Sequence, residues 1–269
     1  MPEGAETAGS LLRAGKLGEA IEAAGAAVRK APTDLGARVL LAELLLAAGN
    51  LERVDVILDA ASEVDPAVAV VIAEFRQLLR AEMARRQLRR DGRVPEFLGE
   101  PDEAQRLALA ALVALRGGDL TQAANLAGAA EAARPRAAGR IAGRPIDDFR
   151  DADDLTAGFF EVLTTTGKYF WIPTARVESL QFHPPKRPRD LIWRRASMSV
   201  QGGPDGEVYL PATYASDEPD LADALRLGRA TEWRELAPGL VRGVGQRVFL
   251  AGEDAVGIMD LTELAFAGA

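Results

Sequence analysis

The sequence predicts an α+β fold, with an array of paired helices followed by a mainly antiparallel β domain. Residues 1–135 are rich in Ala, Leu, Glu and Arg, which favour helices. From about residue 156 the composition shifts to Val, Thr, Phe, Tyr and Trp with frequent Gly and Pro, which favours strands and turns. We place the boundary near residue 140, giving a helical domain over 1–140 and a mainly β domain over 141–269.

The helical half contains three similar units. Each has a glycine followed 17 residues later by a proline, at Gly15 and Pro32, Gly49 and Pro66, and Gly118 and Pro135. The first two units are 34 residues apart, which is the tetratricopeptide period. The glycine turns the chain between two antiparallel helices, and the proline stops the second helix. These units predict a tetratricopeptide-like array, and an ordinary helical bundle is the alternative.

A further helix is predicted over residues 66–90, between the second and third units. Its cationic end, which contains Arg85, Arg86, Arg89 and Arg90, is interpreted as a solvated helix C-terminus. Stacked helix pairs bury a continuous core and leave a concave groove that receives a peptide or a helix. The helical half therefore predicts protein binding.

Strands follow in the second half. Residues 158–163 and 168–173 are predicted to form a hairpin, and 177–182 a third strand. Residues 197–203 and 207–211 flank a Pro-Asp-Gly turn, and 246–252 and 255–261 flank another short turn. Antiparallel pairing between neighbouring strands is expected.

Composition excludes several classes of function. The chain has no cysteine, so thiolate metal sites and cysteine nucleophiles are absent, and its net charge of −8 argues against nucleic-acid binding. Neither a basic leader followed by an apolar core nor an apolar run long enough to span a membrane is visible in the sequence. We expect a cytoplasmic protein without membrane insertion.

No catalytic set emerges from the motifs. His183 is the only histidine, which excludes a two-histidine metal site. Five aspartates cluster in IDDFRDADD, residues 146–154, where helix capping and interdomain ion pairs are favoured over a cation site. A carboxylate-dependent hydrolase using Asp153, Asp154 or Glu161 remains an alternative. We expect no catalytic residue, cofactor or metal.

Several segments together resemble a known family. They are FRDADDLTAGFFEVLTTTGKYFWIP, VESLQFHPPKRPRDLIWRRA, GPDGEVYLPATY, LRLGRATEW and GVGQRVFLAGEDA. In this order and spacing they resemble the ImpE family, also called TagJ, of type VI secretion accessory proteins. The resemblance covers residues 145–266 strongly and the helical half more loosely.

The resemblance implies a non-enzymatic adaptor. TagJ-like members bind the N-terminal helix of the small subunit of the contractile sheath, and they tune sheath recycling by a ClpV-type AAA+ unfoldase. Indirect contact with the unfoldase is expected, and the sequence leaves open whether the unfoldase is also contacted directly. A generic peptide-binding chaperone or regulator with another client is the alternative within the same physical class.

We expect the guest helix to dock on the helical half or at its junction with the β half. The candidate partner-binding residues are Leu41, Leu45, Phe75, Arg187, Arg189 and Trp193.

The strip 187–211 has two interpretations. It either defines the fold, with Leu191 and Trp193 in the core and its arginines paired with the acids of 146–154, or it forms a basic docking patch.

Overall fold

The computed structural model describes residues 6–62, 69–218 and 220–267. Helices occupy the first half and strands the second, as predicted. The helices are α1 (Ala8–Arg13), α2 (Leu17–Lys30), α3 (Leu35–Ala47), α4 (Leu51–Ser62), α5 (Ala69–Asp91), α6 (Glu103–Arg116), α7 (Leu120–Ala133) and α8 (Asp223–Arg226). The predicted boundary near residue 140 falls within the first strand.

The strands follow α7 in the chain. They are β1 (Gly139–Ile141), β2 (Arg144–Ile146), β3 (Phe149–Asp151), β4 (Phe159–Leu163), β5 (Tyr169–Pro173), β6 (Val177–Phe182), β7 (Trp193–Val200), β8 (Gly206–Pro211), β9 (Thr231–Ala237), β10 (Leu240–Gly245), β11 (Val248–Ala251), β12 (Asp254–Gly257) and β13 (Glu263–Phe266). A short 3₁₀ turn, Pro188–Leu191, precedes β7.

The predicted glycine turns connect three antiparallel helix pairs. Gly15, Gly49 and Gly118 all have φ near +81°, and they lie between α1 and α2, α3 and α4, and α6 and α7. Glycine adopts this left-handed conformation without the steric cost of a Cβ atom. The second helices of the first and third pairs end two residues before the predicted prolines. The proline of the second unit, Pro66, lies outside the described residues.

The β half is antiparallel throughout its described pairings. Eight strands form one sheet in the order β2-β1-β13-β6-β7-β8-β4-β5, while β12-β11-β3 and β10-β9 form two smaller sheets. The three predicted hairpins are present as β4-β5, β7-β8 and β11-β12. The last strand, β13, pairs with β1 and β6, so both ends of this half meet in one sheet.

One strand has apolar neighbours on both faces. All five residues of β4 are buried. Phe159 and Leu163 belong to the core that they share with the helices, whereas Phe160 and Val162 belong to the core of the β half. Because successive strand residues point to opposite faces, Glu161 lies on the helix-facing side with Phe159 and Leu163. A carboxylate is thereby placed inside the junction of the two halves.

The helix that faces β4 is α5. It contacts α4, α6, β4 and β5, and its buried positions include Glu82 and Arg85 beside apolar side chains. The interpretation of its cationic end as solvated is therefore wrong for Arg85, which is 2% exposed. Charges from both halves meet between α5 and the sheet.

The start of α6 depends on a capping box. The Asp102 carboxylate accepts from the Gln105 backbone N–H at 2.8 Å, and the Gln105 side chain accepts from the Asp102 N–H at 3.1 Å. The Gln105 amide also donates to the Trp171 carbonyl of β5 at 3.0 Å. The cap thus orients the side chain that joins α6 to the sheet.

We expect Asp102→Ala to lower the free energy of unfolding by about 1 kcal/mol, because the first turn of α6 loses its side-chain acceptor. Asp102→Asn is the matched control, since asparagine retains a capping oxygen and should stay within a few tenths of a kcal/mol of the parent. Urea unfolding measures both variants. Equal losses in the two would contradict the capping assignment.

Candidate functional site at the junction of the two halves

The junction is organised around the buried carboxylate of Glu161 on β4. Arg85 on α5 donates from Nε and from one terminal nitrogen to its two oxygens, each at 3.0 Å. Arg247 donates to the same carboxylate, and the Tyr169 hydroxyl donates to its other oxygen. Burial by itself would raise the pKa of Glu161, but the attraction of Arg85 and Arg247 holds it well below its usual range. Glu161 is therefore a fixed anion.

The network continues through Arg247 to Asp151 on β3. Asp151 accepts from a second Arg247 nitrogen, from the Tyr214 hydroxyl at 2.7 Å and from the Asp153 backbone N–H at 2.9 Å. Burial raises the pKa of Asp151 to about 6, although the positive charge of Arg247 opposes the rise. Arg247 thus joins the eight-stranded and three-stranded sheets, while Arg85 joins α5 to the eight-stranded sheet.

The acids of the hydrolase alternative serve structural contacts. Asp153 accepts from the backbone N–H groups of Leu155 and Gly243 at 2.9 and 3.1 Å. Asp154 accepts from the Val241 N–H at 2.7 Å and pairs with Arg150 at 3.2 Å. Their carboxylates position the β9-β10 hairpin. Hydrolysis by acid catalysis needs a carboxyl whose pKa is raised, and the pKa of Glu161 is shifted in the opposite direction.

The rest of the aspartate cluster forms an ion pair between the halves. Asp148 accepts from Arg134, at the end of α7, at 2.6 Å, and from the Ala137 and Phe149 backbone N–H groups at 3.0 Å each. The hydrogen bond from Arg134 and the two backbone bonds together lower the pKa of Asp148 to about 2 against the effect of burial. The predicted ion pairs are present, whereas the predicted helix capping is wrong, because β3 lies within the cluster and turns follow it, so no helix begins in this described segment.

A second buried cluster fills the face shared by α3 and α5. The Arg189 guanidinium lies 4.6 Å from the Phe75 ring centroid, and one of its nitrogens is 3.3 Å from Glu43 on α3. Trp193 packs edge-on against Phe75 at 5.8 Å and donates from Nε1 to Glu82 at 3.3 Å. The chain's own strip, from the 3₁₀ turn into β7, therefore covers this helical face.

The Glu43–Arg189 pair is poorly solvated. Burial raises the pKa of Glu43 to about 7, although Arg189 and Arg187 oppose the rise. Burial likewise lowers the pKa of Arg189, and Nε and NH2 of this residue have no hydrogen-bond partner within the described residues. The pair joins the halves at a cost in desolvation, so its contribution to stability depends on pH.

The structure brings five of the six predicted partner-binding residues together inside the chain. Leu41, Leu45, Phe75, Arg189 and Trp193 are all at most 4% exposed. In this conformation they contact other parts of the same chain, so a partner could touch them only if the two halves separated. Their role in partner binding stays a prediction.

Arg187 is the predicted partner-binding residue that reaches the surface, with 37% of its side chain exposed. It lies 3.4 Å from Asp190, whose carboxylate also accepts from the Lys186 and Arg187 backbone N–H groups at 2.9 and 3.0 Å. Asp190 thereby shapes the loop that presents Arg187.

The strip 187–211 contributes to the core, which is one part of its fold-defining interpretation, while a docking role for it stays a prediction. Trp193 is in the core, while Leu191 is only partly buried. The predicted pairing of its arginines with the acids of 146–154 is wrong: Arg189 meets Glu43, and Arg194 packs over the Phe182 ring at 5.8 Å. The 3₁₀ turn directs Arg189 towards α3, and β7 places Arg194 against the neighbouring strand β6.

Two further observations bear on the range of functions. Among the described ranges, no group of three or more His, Asp or Glu side chains is arranged to hold a metal ion. Within the same part of the chain, no helix has the length and apolarity needed to cross a bilayer. What the junction offers is buried ion pairing and a continuous core.

Comparison with known proteins places this arrangement in a family. Residues 143–265 match the model of the ImpE protein family, and residues 11–74 match a tetratricopeptide repeat model. The chain is 34% identical over 258 residues to the type VI secretion system accessory component TagJ of Pseudomonas aeruginosa PAO1, covering 95% of this chain and 89% of that protein. This chain belongs to the ImpE (TagJ) family.

The whole ImpE fold is shared with a solved structure. A crystal structure of a protein from Vibrio parahaemolyticus superposes with a TM-score of 0.92 at 28% identity, over 97% of this chain and 98% of that one. The predicted family and the predicted fold class, a tetratricopeptide-like helical region before a mainly antiparallel β domain, are confirmed. The chain is thus a member of a family of type VI secretion accessory proteins.

We expect Glu161→Gln to lower the free energy of unfolding by about 3–5 kcal/mol, because it leaves Arg85 and Arg247 buried beside a neutral amide. The control Glu178→Gln removes an exposed carboxylate that hydrogen-bonds Ser199, and should change stability by less than about 0.5 kcal/mol. Urea unfolding at neutral pH compares them. A loss below about 1 kcal/mol in Glu161→Gln would contradict the assignment of Glu161 as the organising charge.

The Glu43 pair predicts a pH dependence of stability. Because the folded-state pKa is raised from 4.5 to about 7, the folded state binds more protons than the unfolded state in this window. The contribution of Glu43 to the free energy of unfolding therefore falls by roughly 3 kcal/mol as the pH rises from about 4.5 to about 7. Above that pH the contribution is constant.

Glu43→Gln cannot titrate, so the stability of this variant relative to the parent should rise between pH 5 and 7 and then level off. Urea unfolding at pH 5, 6, 7 and 8 measures the difference, with the exposed Glu52→Gln as the control. A difference that stays constant with pH would show that Glu43 is charged throughout.

Proposed function

We propose that this protein is a non-enzymatic adaptor of a type VI secretion system that binds the N-terminal helix of the small sheath subunit. The observation that carries the proposal is the similarity to an accessory component along 95% of the chain, with both the helical and the β half included. The helical half and the β half together form the junction described above. Because the similarity covers both halves, it also covers the surface at that junction.

The absence of enzymatic activity is part of the proposal. The acids that could serve a hydrolase are held by backbone N–H groups or by arginines: Asp153 and Asp154 by the β9-β10 hairpin, and Glu161 by Arg85 and Arg247. A carboxylate whose two oxygens both accept from such fixed donors has little capacity to activate water. These charges support a structural role.

The partner helix is proposed to dock on the outer surface around Arg187. Amphipathic helices bind by laying an apolar face on a groove, and charges at the rim set orientation and association rate more than affinity. The face between α3 and α5, which would serve as the groove of the array, is filled by Arg189 and Trp193. Arg187 and the exposed Lys186 and Arg195 form a basic rim beside that filled face.

The proposed consequence concerns sheath recycling. Formation of the complex between the adaptor and the sheath-subunit helix changes how accessible that helix is to a ClpV-type unfoldase. The adaptor therefore tunes unfoldase-dependent recycling without contacting the unfoldase, and it acts in the cytoplasm with its partner.

Titration of a fluorescently labelled peptide corresponding to the N-terminal helix of the small sheath subunit tests binding to the full chain. We expect Arg187→Glu to weaken binding about three- to tenfold, chiefly through slower association, because a rim charge is reversed. Arg53→Glu on the exposed side of α4 is the matched control and should bind like the parent.

A scrambled peptide of the same composition distinguishes the adaptor from a generic chaperone. Equal affinity for the scrambled peptide would favour a generic peptide-binding chaperone, and no binding of the native peptide would contradict the adaptor proposal. Equal binding by the parent and by Arg187→Glu would place the docking surface elsewhere.

A further inference from the structure

A cavity of about 470 Å³ lies between the end of α5, α6, the segment 215–218 and the β9-β10 hairpin. Its lining contains two kinds of side chain. The apolar ones, called here the apolar wall, are Leu112, Leu115, Leu236 and Val244, and the cationic ones, called the cationic wall, are Arg89, Arg116, Arg234 and Arg242. Asp217 and Glu218 also line the cavity, which leaves four arginines against two acids in the lining. The volume falls within the range of sites that bind small organic molecules.

The cationic wall contains a guanidinium that makes no ion pair within the described ranges, although the more distant carboxylates of Glu161 and Asp153 partly offset its charge. NH1 of Arg89 is buried and has no hydrogen-bond partner in the described part of the chain. No carboxylate there lies within ion-pairing distance of its guanidinium, in contrast to the buried Arg85 and Arg247. Burial first, and then the nearby charge of Arg242, lower the pKa of Arg89 to about 10. A buried cation without a counter-ion is destabilising unless a ligand supplies the negative charge.

The neighbouring arginines leave the wall positive. Arg116 donates to the Leu88 carbonyl at 3.4 Å, and Arg242 donates to the Ala215 carbonyl at 3.2 Å while lying 3.6 Å from Asp153. Nε of Arg242 has no hydrogen-bond partner among the residues that the structure describes. Arg234 pairs with Glu232 at 2.7 Å and lies 3.7 Å from Glu218, so it is the arginine of this wall with two nearby carboxylates. Donors on Arg89 and Arg242 therefore remain for a ligand.

We propose that this cavity binds a small organic oxyanion, a phosphate or carboxylate attached to an apolar group. The anionic end is held by Arg89 and Arg242, whose planar guanidinium groups suit the oxygens of either anion. The apolar part packs against Leu112, Leu115, Leu236 and Val244. Because Arg89 is one helical turn from Arg85, the ligand stabilises the end of α5 at the junction. This site is separate from the proposed docking surface at Arg187.

Thermal unfolding of the full chain at constant ionic strength tests the site with three probes: phenyl phosphate, phenylacetate and inorganic phosphate, with sodium chloride as the reference. We expect phenyl phosphate or phenylacetate to raise Tm by about 2–5 °C at saturation. The half-maximal concentration of the aromatic anion should be at least tenfold below that of inorganic phosphate, because inorganic phosphate leaves the apolar wall exposed. The aromatic probe with the lower half-maximal concentration shows whether the site prefers a phosphate or a carboxylate.

The variant Arg89→Met should lose this rise in Tm while unfolding, without ligand, at the same temperature as the parent or higher. Arg80→Met, on the exposed side of α5, is the control and should keep the full rise. If Arg89→Met does not fold, Arg116→Gln, which should weaken the response, replaces it. No rise in Tm with any probe, or an equal rise in the parent and in the cavity variant, would overturn the proposal.

Discussion

The fold depends on the buried carboxylate of Glu161, which is held by Arg85 of α5 and by Arg247 beside β11. A buried charge is tolerated only when it is paired and hydrogen-bonded, so removing either half of the chain would leave charges in an apolar interior. Apolar packing strengthens the same constraint, since the helical core includes Phe159, Trp171 and Trp193 from the β half. The helical array and the sheet therefore stabilise each other.

This constraint changes how the tetratricopeptide-like array can be used. In an open array the face of the first helices is available to a guest, but here Arg189 and Trp193 occupy the face between α3 and α5. An internal segment thus takes the place of a guest, which is why the proposed docking surface is the outer rim near Arg187. Asp190 fixes the conformation of the loop that carries Lys186 and Arg187 by accepting from their backbone N–H groups. The strip that fills the groove therefore also shapes the proposed docking surface.

Local features of the fold could be predicted from the sequence, whereas the junction could not. Glycine turns such as Gly49 and hairpins such as β4-β5 are encoded by short spacings. Glu161 meets Arg85 and Arg247 across 76 and 86 residues, and no local pattern identifies such partners. Isolated acids within apolar runs, Glu43 in VLLAELLLA and Glu161 in GFFEVL, were the available signal, because a buried charge requires a partner. The predicted partner-binding residues were apolar or basic, and most proved to belong to this interior.

Equilibrium unfolding followed simultaneously by two probes tests most directly whether the halves form one cooperative unit. Circular dichroism at 222 nm (a wavelength dominated by helices) reports on the helical half, and the infrared amide I band of antiparallel strands reports on the β half, which contains the described sheets. The account predicts coincident transitions with a single midpoint in urea, because neither half can keep its buried charges paired alone. Two separated transitions, with one half still folded after the other has unfolded, would contradict it.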